Sequence, residues 1–288
     1  MTFSIAARDG DAWGVAVASK FLAVGAVVPR VLLGVGAVAT QSHARVAYLD
    51  EVLDAVADGA SVAEALDAAV AGDAGRDLRQ VGAVGPAGAV TFTGAGCFPY
   101  AGGVAAGDER TAYAIQGNIL TGPEVLEAME RAWLGGAGRR LDHRLLATLL
   151  AGDDAGGDSR GRQSAALVAH APGAGYDACG VLADLRVDDH PDASRELARI
   201  HALATLHFGA PEDVRPLEGA LRAEVAAALA GLGHVGVDTA AELETWMSGA
   251  NLENRHSRDG IDARVLDELR AAVRGPTPGP DEDAATES

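Results

Sequence analysis

Apolar β-type runs in this chain come in neighbouring pairs, each joined by a short Gly- or Pro-bearing turn. TFSIAAR and WGVAVAS flank Asp9-Gly10-Asp11, and QVGAV and AVTFTG flank Gly85-Pro86-Ala87-Gly88. Runs joined so closely pair antiparallel, because a parallel partner needs a crossover of a dozen or more residues. QSAALVAHA and CGVLADLRV form a further pair, while RVLLGVGAVATQ and AYAIQGN read as buried strands. Between the strand groups, AYLDEVLDAVADGASVAEALDAAVAG has helical spacing. Gly59 closes one helix there, and Ser61-Val-Ala-Glu64 is a capping box that opens the next. Thr121-Gly-Pro-Glu124 starts a helix, LDHRLLATLLAG is a second, and SRELARIHALATLHFG ends the strand-bearing region. The predicted class is α+β, with helices sandwiching two stacked antiparallel sheets over residues 1–208.

Beyond that region the strands stop. Three helical segments over residues 212–275 predict a small all-α module, and the Pro/Gly/acid tail of residues 276–288 is expected to be disordered. Hydrophobic residues make up 48% of the chain but aromatics only 4%, so Ala, Val and Leu must build the core. A net charge of −18 argues against nucleic acid and anionic membrane surfaces as partners, since both are bound through basic patches. The longest apolar stretch is broken by Lys20, Pro29 and Arg30 and is read as strands, not a membrane span. Cys97 and Cys179 have no metal-type or disulfide spacing. With no secretory signal, this points to a reducing, cytoplasmic setting.

Centred on Gly10, the opening hairpin places Thr2 opposite Ala18 or Ser19, with Lys20 just beyond. Lys20 is the only lysine among 23 basic residues, either a survivor of codon drift or a residue kept for its compact charge. Methionine before threonine is readily removed, which would leave Thr2 with a free α-amine. That amine can act as base for its own hydroxyl, and a nearby ammonium would keep it neutral. Polar groups concentrate in further stretches. Gln41 lies in Ala39-Thr40-Gln41-Ser42 at a strand end. Gln116-Gly117-Asn118 places a glycine between two amides, a device suited to an oxyanion or an amide. The loop 156–164 carries Asp158, Arg160, Arg162 and Gln163, with the arginines suited to a substrate carboxylate. Asp188, Asp189 and His190 raise a metal-dependent hydrolase as an alternative, but contiguous residues on a strand alternate faces, so no metal or other cofactor is expected. Cys97, with His43 or His170, is an alternative nucleophile, though a small thiol in a Gly-rich turn reads more simply as packing.

These same segments resemble the bacterial family known as domain of unknown function 1028. They are TFSIAARD, GVAVASKFLAVGAVVP, GVGAVATQ, RQVGAV, FTGAGC, YAGG, QGNIL, GGDSRGRQSA and DLRVDDHPD, in order across residues 2–208. The resemblance implies an N-terminal nucleophile hydrolase with a four-layer αββα sandwich, cleaving a small amide or peptide-like bond. Thr2 would be the nucleophile, with Ser19, Lys20, Gln116, Gly117 and Asn118 around it; Gln41, Asp158, Arg160 and Gln163 would meet the substrate. In proteasome-type relatives the supporting lysine comes from a later strand than Lys20. The second region resembles a module named for peptidoglycan binding, through Trp246, Asn251, Leu252, Glu253, Arg255, Ile261 and Asp262, which implies glycan contact. A homo-oligomer is expected. The competing reading is a non-catalytic binding protein that uses the module to dock on a glycan or a partner.

Overall fold

The hairpin forms where the Asp9-Gly10-Asp11 turn predicts it. In the computed structural model, which describes residues 2–275, β1 (Thr2–Asp9) runs antiparallel to β2 (Ala12–Ser19), with Thr2 opposite Ser19. Met1 and the tail 276–288, expected to be disordered, lie outside the described residues. The chain divides into two compact units, Met1–His201 and Ala202–Ser288.

In the first unit, β3 (Pro29–Leu32) and β4 (Gly36–Ser42) precede α1 (Ala47–Ala57) and α2 (Val62–Ala71). The expected capping box opens α2: the Ser61 hydroxyl accepts from Glu64 N–H, and the Glu64 carboxylate accepts from Ser61 N–H. Next come β5 (Arg79–Gly85), β6 (Gly88–Thr93), β7 (Gly102–Gly107) and β8 (Thr111–Asn118). After α3 (Glu124–Gly135) and α4 (Leu141–Asp154) follow β9 (Ser164–His170), β10 (Val181–Val187) and α5 (Ala193–Phe208), which spans the division between the units. One sheet has the order β10-β9-β2-β1-β8-β7 and the other β3-β4-β5-β6, all antiparallel. Strand β7 is not marked by the sequence pattern. GGVAAG has three glycines and one β-branched residue, so its pairing with β8, not its own side chains, identifies it.

Alternation along β1 sends its residues into two different cores. Phe3 and Ile5 join Met129 and Trp133 of α3 and Leu145 and Leu149 of α4. Ala6, with Val15 and Val17 of β2, joins Ala37 and Ala39 of β4 and Val84 of β5. On the other face of the four-stranded sheet, Val38, Val81 and Ala83 pack with Tyr48, Leu49 and Val52 of α1 and Leu66 of α2. The inter-sheet core uses mostly Ala and Val, as the scarcity of aromatics requires.

The second unit contains β11 (Val214–Arg215), α6 (Gly219–Gly231), α7 (Thr239–Gly249), β12 (Ile261–Asp262) and α8 (Ala263–Arg274). It is helical as expected, with a short β11–β12 pair added. Its core encloses an ion pair. Arg255 is fully buried, with Nη1 3.1 Å from Asp262 Oδ2 and Nη2 and Nε donating to the Thr205 and Leu206 carbonyls at 2.6 and 2.7 Å. Asp262 Oδ1 in turn caps α8, accepting from Arg264 N–H at 2.8 Å. These motif residues therefore have structural work, and Trp246 packs against the module's apolar core. Among the described residues no helix is long and apolar enough to cross a membrane.

Candidate active site

The even-numbered face of β1 begins with two hydroxyl residues, Thr2 and Ser4, and the register decides what they meet. Thr2 lies opposite Ser19 on β2 and Asn118 on β8, while Ser4 lies opposite Gln116. The facing sheet contributes Gln41 of β4, which is paired with Gln80 of β5; Thr93 of β6 pairs with Gln80 in turn. Four carboxamides and two hydroxyls are thus buried where the two sheets face each other.

Their hydrogen bonds run in one direction, set by backbone groups that can only accept. Gln80 Nε2 donates toward the Gly117 and Gly102 carbonyls at 2.8 and 3.1 Å, which leaves Gln80 Oε1 to accept from Gln41 Nε2 at 2.8 Å and Asn118 Nδ2 at 2.9 Å. Gln41 Oε1 then accepts from the Ser4 hydroxyl, which accepts from Gln116 Nε2, both at 2.7 Å. The chain ends on Gln116 Oε1, which is buried without a hydrogen-bond partner. Gly82, two residues beyond Gln80 on the same strand, makes room for it: a Cβ there would lie 1.8 Å from Gln116 Oε1. The network's product is a fixed Thr2. Its carbonyl accepts from Gln41 Nε2 at 3.1 Å and lies 3.5 Å from Asn118 Nδ2.

The Thr2 hydroxyl is 3.1 Å from the Ser19 hydroxyl, and Thr2 is 5% exposed. It lines a cleft of about 260 Å³ together with Gln41 and Ser42, against walls from Phe21, Val24, Val27, Val28, Ala44 and Val46. Three residues in this region hold left-handed backbone without being glycine: Ala23 at φ 51°, Ser42 at φ 67° and Ile119 at φ 47°. Each such conformation costs on the order of 1–3 kcal/mol, and such costs are tolerated most often where a chain is shaped for function.

Other expected site residues lie elsewhere. Lys20 lies just past the end of β2; it is exposed, and its Nζ donates to the Arg162 carbonyl at 3.2 Å. Asp158 is buried and accepts from Lys20 N–H at 2.7 Å and Arg160 N–H at 2.8 Å, so it anchors the loop. Arg160 meets Asp158 at 3.3 Å, and Arg162 Nε meets both oxygens of Asp153 at 2.8 Å. Gln163 Nε2 donates to Asp189 at 3.1 Å. None of Lys20, Asp158, Arg160 and Gln163 lines the cleft at Thr2, whereas Gln41 does. Gly117 pairs with Phe3 within the sheet and gives its carbonyl to Gln80. Asp188 is held by Arg186, and the Cys97 thiol donates to the Arg79 carbonyl at 3.3 Å.

Gln80 and Gly82 are the residues that pattern reading missed. A glutamine inside the apolar run RQVGAVG, followed by a mid-strand glycine, was the available signal. Among the described residues, the metal-type grouping is Asp142, His143 and His201, with ligand atoms within 4.8 Å of one another. Both Asp142 oxygens are already engaged, by Arg140 at 2.7 Å each and by His201 Nε2 at 2.8 Å, so the cluster reads as a tie between α4 and α5. Burial would raise the Asp142 carboxyl, but the His201 and Arg140 hydrogen bonds outweigh it and hold the group far below the usual carboxylate range.

A model described as "Family of unknown function (DUF1028)" matches residues 2–197, and one described as "Putative peptidoglycan binding domain" matches residues 205–269. The crystal structure of a DUF1028 protein from Silicibacter pomeroyi is similar at 32% identity and a TM-score of 0.62, covering 71% of this chain and 86% of that one. Comparison with curated proteins finds no match.

Proposed function

The chain belongs to the DUF1028 family, and we propose that it is an amide-bond hydrolase whose nucleophile is Thr2, freed by removal of Met1. The observation that carries this reading is the Thr2 hydroxyl, 3.1 Å from Ser19 Oγ, on the wall of a preformed cleft. The threonine α-amine takes the hydroxyl proton as Oγ1 adds to the amide carbonyl. The tetrahedral intermediate expels the amine, which leaves with that proton, and an ester on Thr2 remains. Water then adds to the ester with the same α-amine as base, releasing the acid. Ser19 orients the attacking oxygen, and Gln41, Gln80 and Asn118 hold the threonine backbone still, which preserves the attack geometry.

We read the two sheets and their helix pairs as the four-layer αββα order of the N-terminal nucleophile hydrolases. The three apolar clusters support it, one between the sheets and one under each helix pair. The small amide or peptide-like substrate would be met in the cytoplasm. Glycan contact through residues 212–275, and assembly into a homo-oligomer, complete the proposal.

The test is ammonia release from a panel of primary amides. Thr2→Ala should abolish turnover and Thr2→Ser should keep part of it, with thermal stability nearly unchanged in both. Full turnover by Thr2→Ala would remove the proposal.

A further inference from the structure

Resting on the amide-hydrolase reading above, we infer that the substrate carries an uncharged, apolar acyl group, aliphatic or arylalkyl, and that amides bearing a carboxylate there are excluded. The shared core of the two sheets is Ala- and Val-built, and two of its members, Val24 and Val28, also wall the cleft at Thr2. The cleft is therefore a continuation of the inter-sheet core to the surface. Its polar side chains are Thr2, Gln41 and Ser42, and among the described residues no ionisable side chain lines it.

Three further observations narrow the ligand. The first concerns the cations expected to receive a substrate carboxylate: Arg160 and Arg162 meet Asp158 and Asp153 instead, and neither lines the cleft. A carboxylate bound here would lose its hydration with no side-chain cation to receive it, beside an α-amine that the reaction needs in its neutral form, in a protein of net charge −18. Second, the apolar wall is preformed. Ala23 N–H donates to the Asp188 carbonyl at 2.9 Å, Val24 N–H to Ser164 Oγ at 3.0 Å, and Thr40 N–H to the Val28 carbonyl at 3.1 Å. Gly25 sits so close to β9 that a Cβ would lie 2.5 Å from the Ala166 Cβ, which pins the segment against the sheet. Third, Phe21 and Val46 keep 53% and 43% of their surface exposed at the cleft, apolar area that an apolar ligand would cover.

The experiment compares butyramide, hexanamide, 4-phenylbutanamide and succinamate with the full chain, reading ammonia release and, separately, binding to the Thr2→Ala protein by ligand-observed NMR. Turnover efficiency should rise roughly fourfold for each methylene that the cleft buries. Succinamate, which has the same number of carbons as butyramide, should fall at least tenfold below it. Val46→Asp should weaken hexanamide binding at least tenfold without lowering Tm, because a carboxylate at the start of α1 favours the helix. Succinamate processed as well as butyramide would overturn the inference and leave the Thr2 chemistry intact. Hexanamide binding that Val46→Asp abolishes, with no amide turned over, would sustain the cleft assignment and end the hydrolase reading. Hexanamide that neither binds nor reacts would overturn the cleft assignment itself.

Discussion

At the scale of single residues, the candidate site depends on buried amides, of which Gln41 alone also lines the cleft. Gly82→Ala would push a methyl group into Gln116 Oε1 between two packed sheets, and overpacking of that kind costs about 1–3 kcal/mol. Chemical denaturation of the variant should read that loss, and turnover should fall with it as the sheets part. Lys20 offers a contrasting prediction. Its ammonium is exposed, turned to the Arg162 carbonyl and screened by solvent, so Lys20→Met should keep the rate within about tenfold of wild type. Asp73 gives a pH-dependent case. Hydrogen bonds from Arg79, then from the Gly75 N–H and Tyr48, lower its carboxyl to about 2. A carboxyl depressed on folding contributes stability that is complete above its unfolded pKa of about 4 and is lost as pH falls through the folded value. Tm should therefore drop between about pH 4 and 2, and Asp73→Asn should flatten that limb; Asp142, depressed further, should keep contributing at still lower pH. Of the candidate site, the Thr2–Ser19 pairing was legible from the turn at Gly10, and polar strand ends marked Gln41, Gln116 and Asn118, which the structure joins in one hydrogen-bonded group with Thr2 and Ser4. The positions of Lys20 and Arg160 were not, because a charge's partner depends on which way a loop folds back: Arg160 turns to Asp158 of its own loop, and Lys20 to the Arg162 carbonyl.

At the scale of elements, hairpin turns and capping signals carried most of the information. The turns at Gly10 and at residues 85–88 and the capping box at Ser61 lie where the residues put them, since each is a local arrangement with a local cause. Strand β7 escaped because its pairing is supplied by the edge of β8, and the β11–β12 pair because two residues make no pattern. The buried Arg255–Asp262 pair belongs to this scale, since it joins the cap of α8 to the carbonyls at the end of α5. Arg255→Met leaves Asp262 buried without its countercharge and should cost about 3–5 kcal/mol. Far-UV melting of the variant should show the second unit unfolding first. An unchanged melt would mean that the pair contributes nothing net.

At the scale of the whole molecule, the proposed activity requires that the threonine at position 2 become the chain's terminal nucleophile. Two sheets place its hydroxyl beside Ser19 and a cleft, and buried amides fix its carbonyl, but only removal of Met1 creates the base. The most direct measurement is intact mass of the purified protein before and after an acylating β-lactone, followed by peptide mapping. The expected result is a chain lacking Met1 that gains a single adduct on Thr2, and no adduct in Thr2→Ala. Retained Met1, or an adduct on Cys97 or Ser4 in its place, would contradict it.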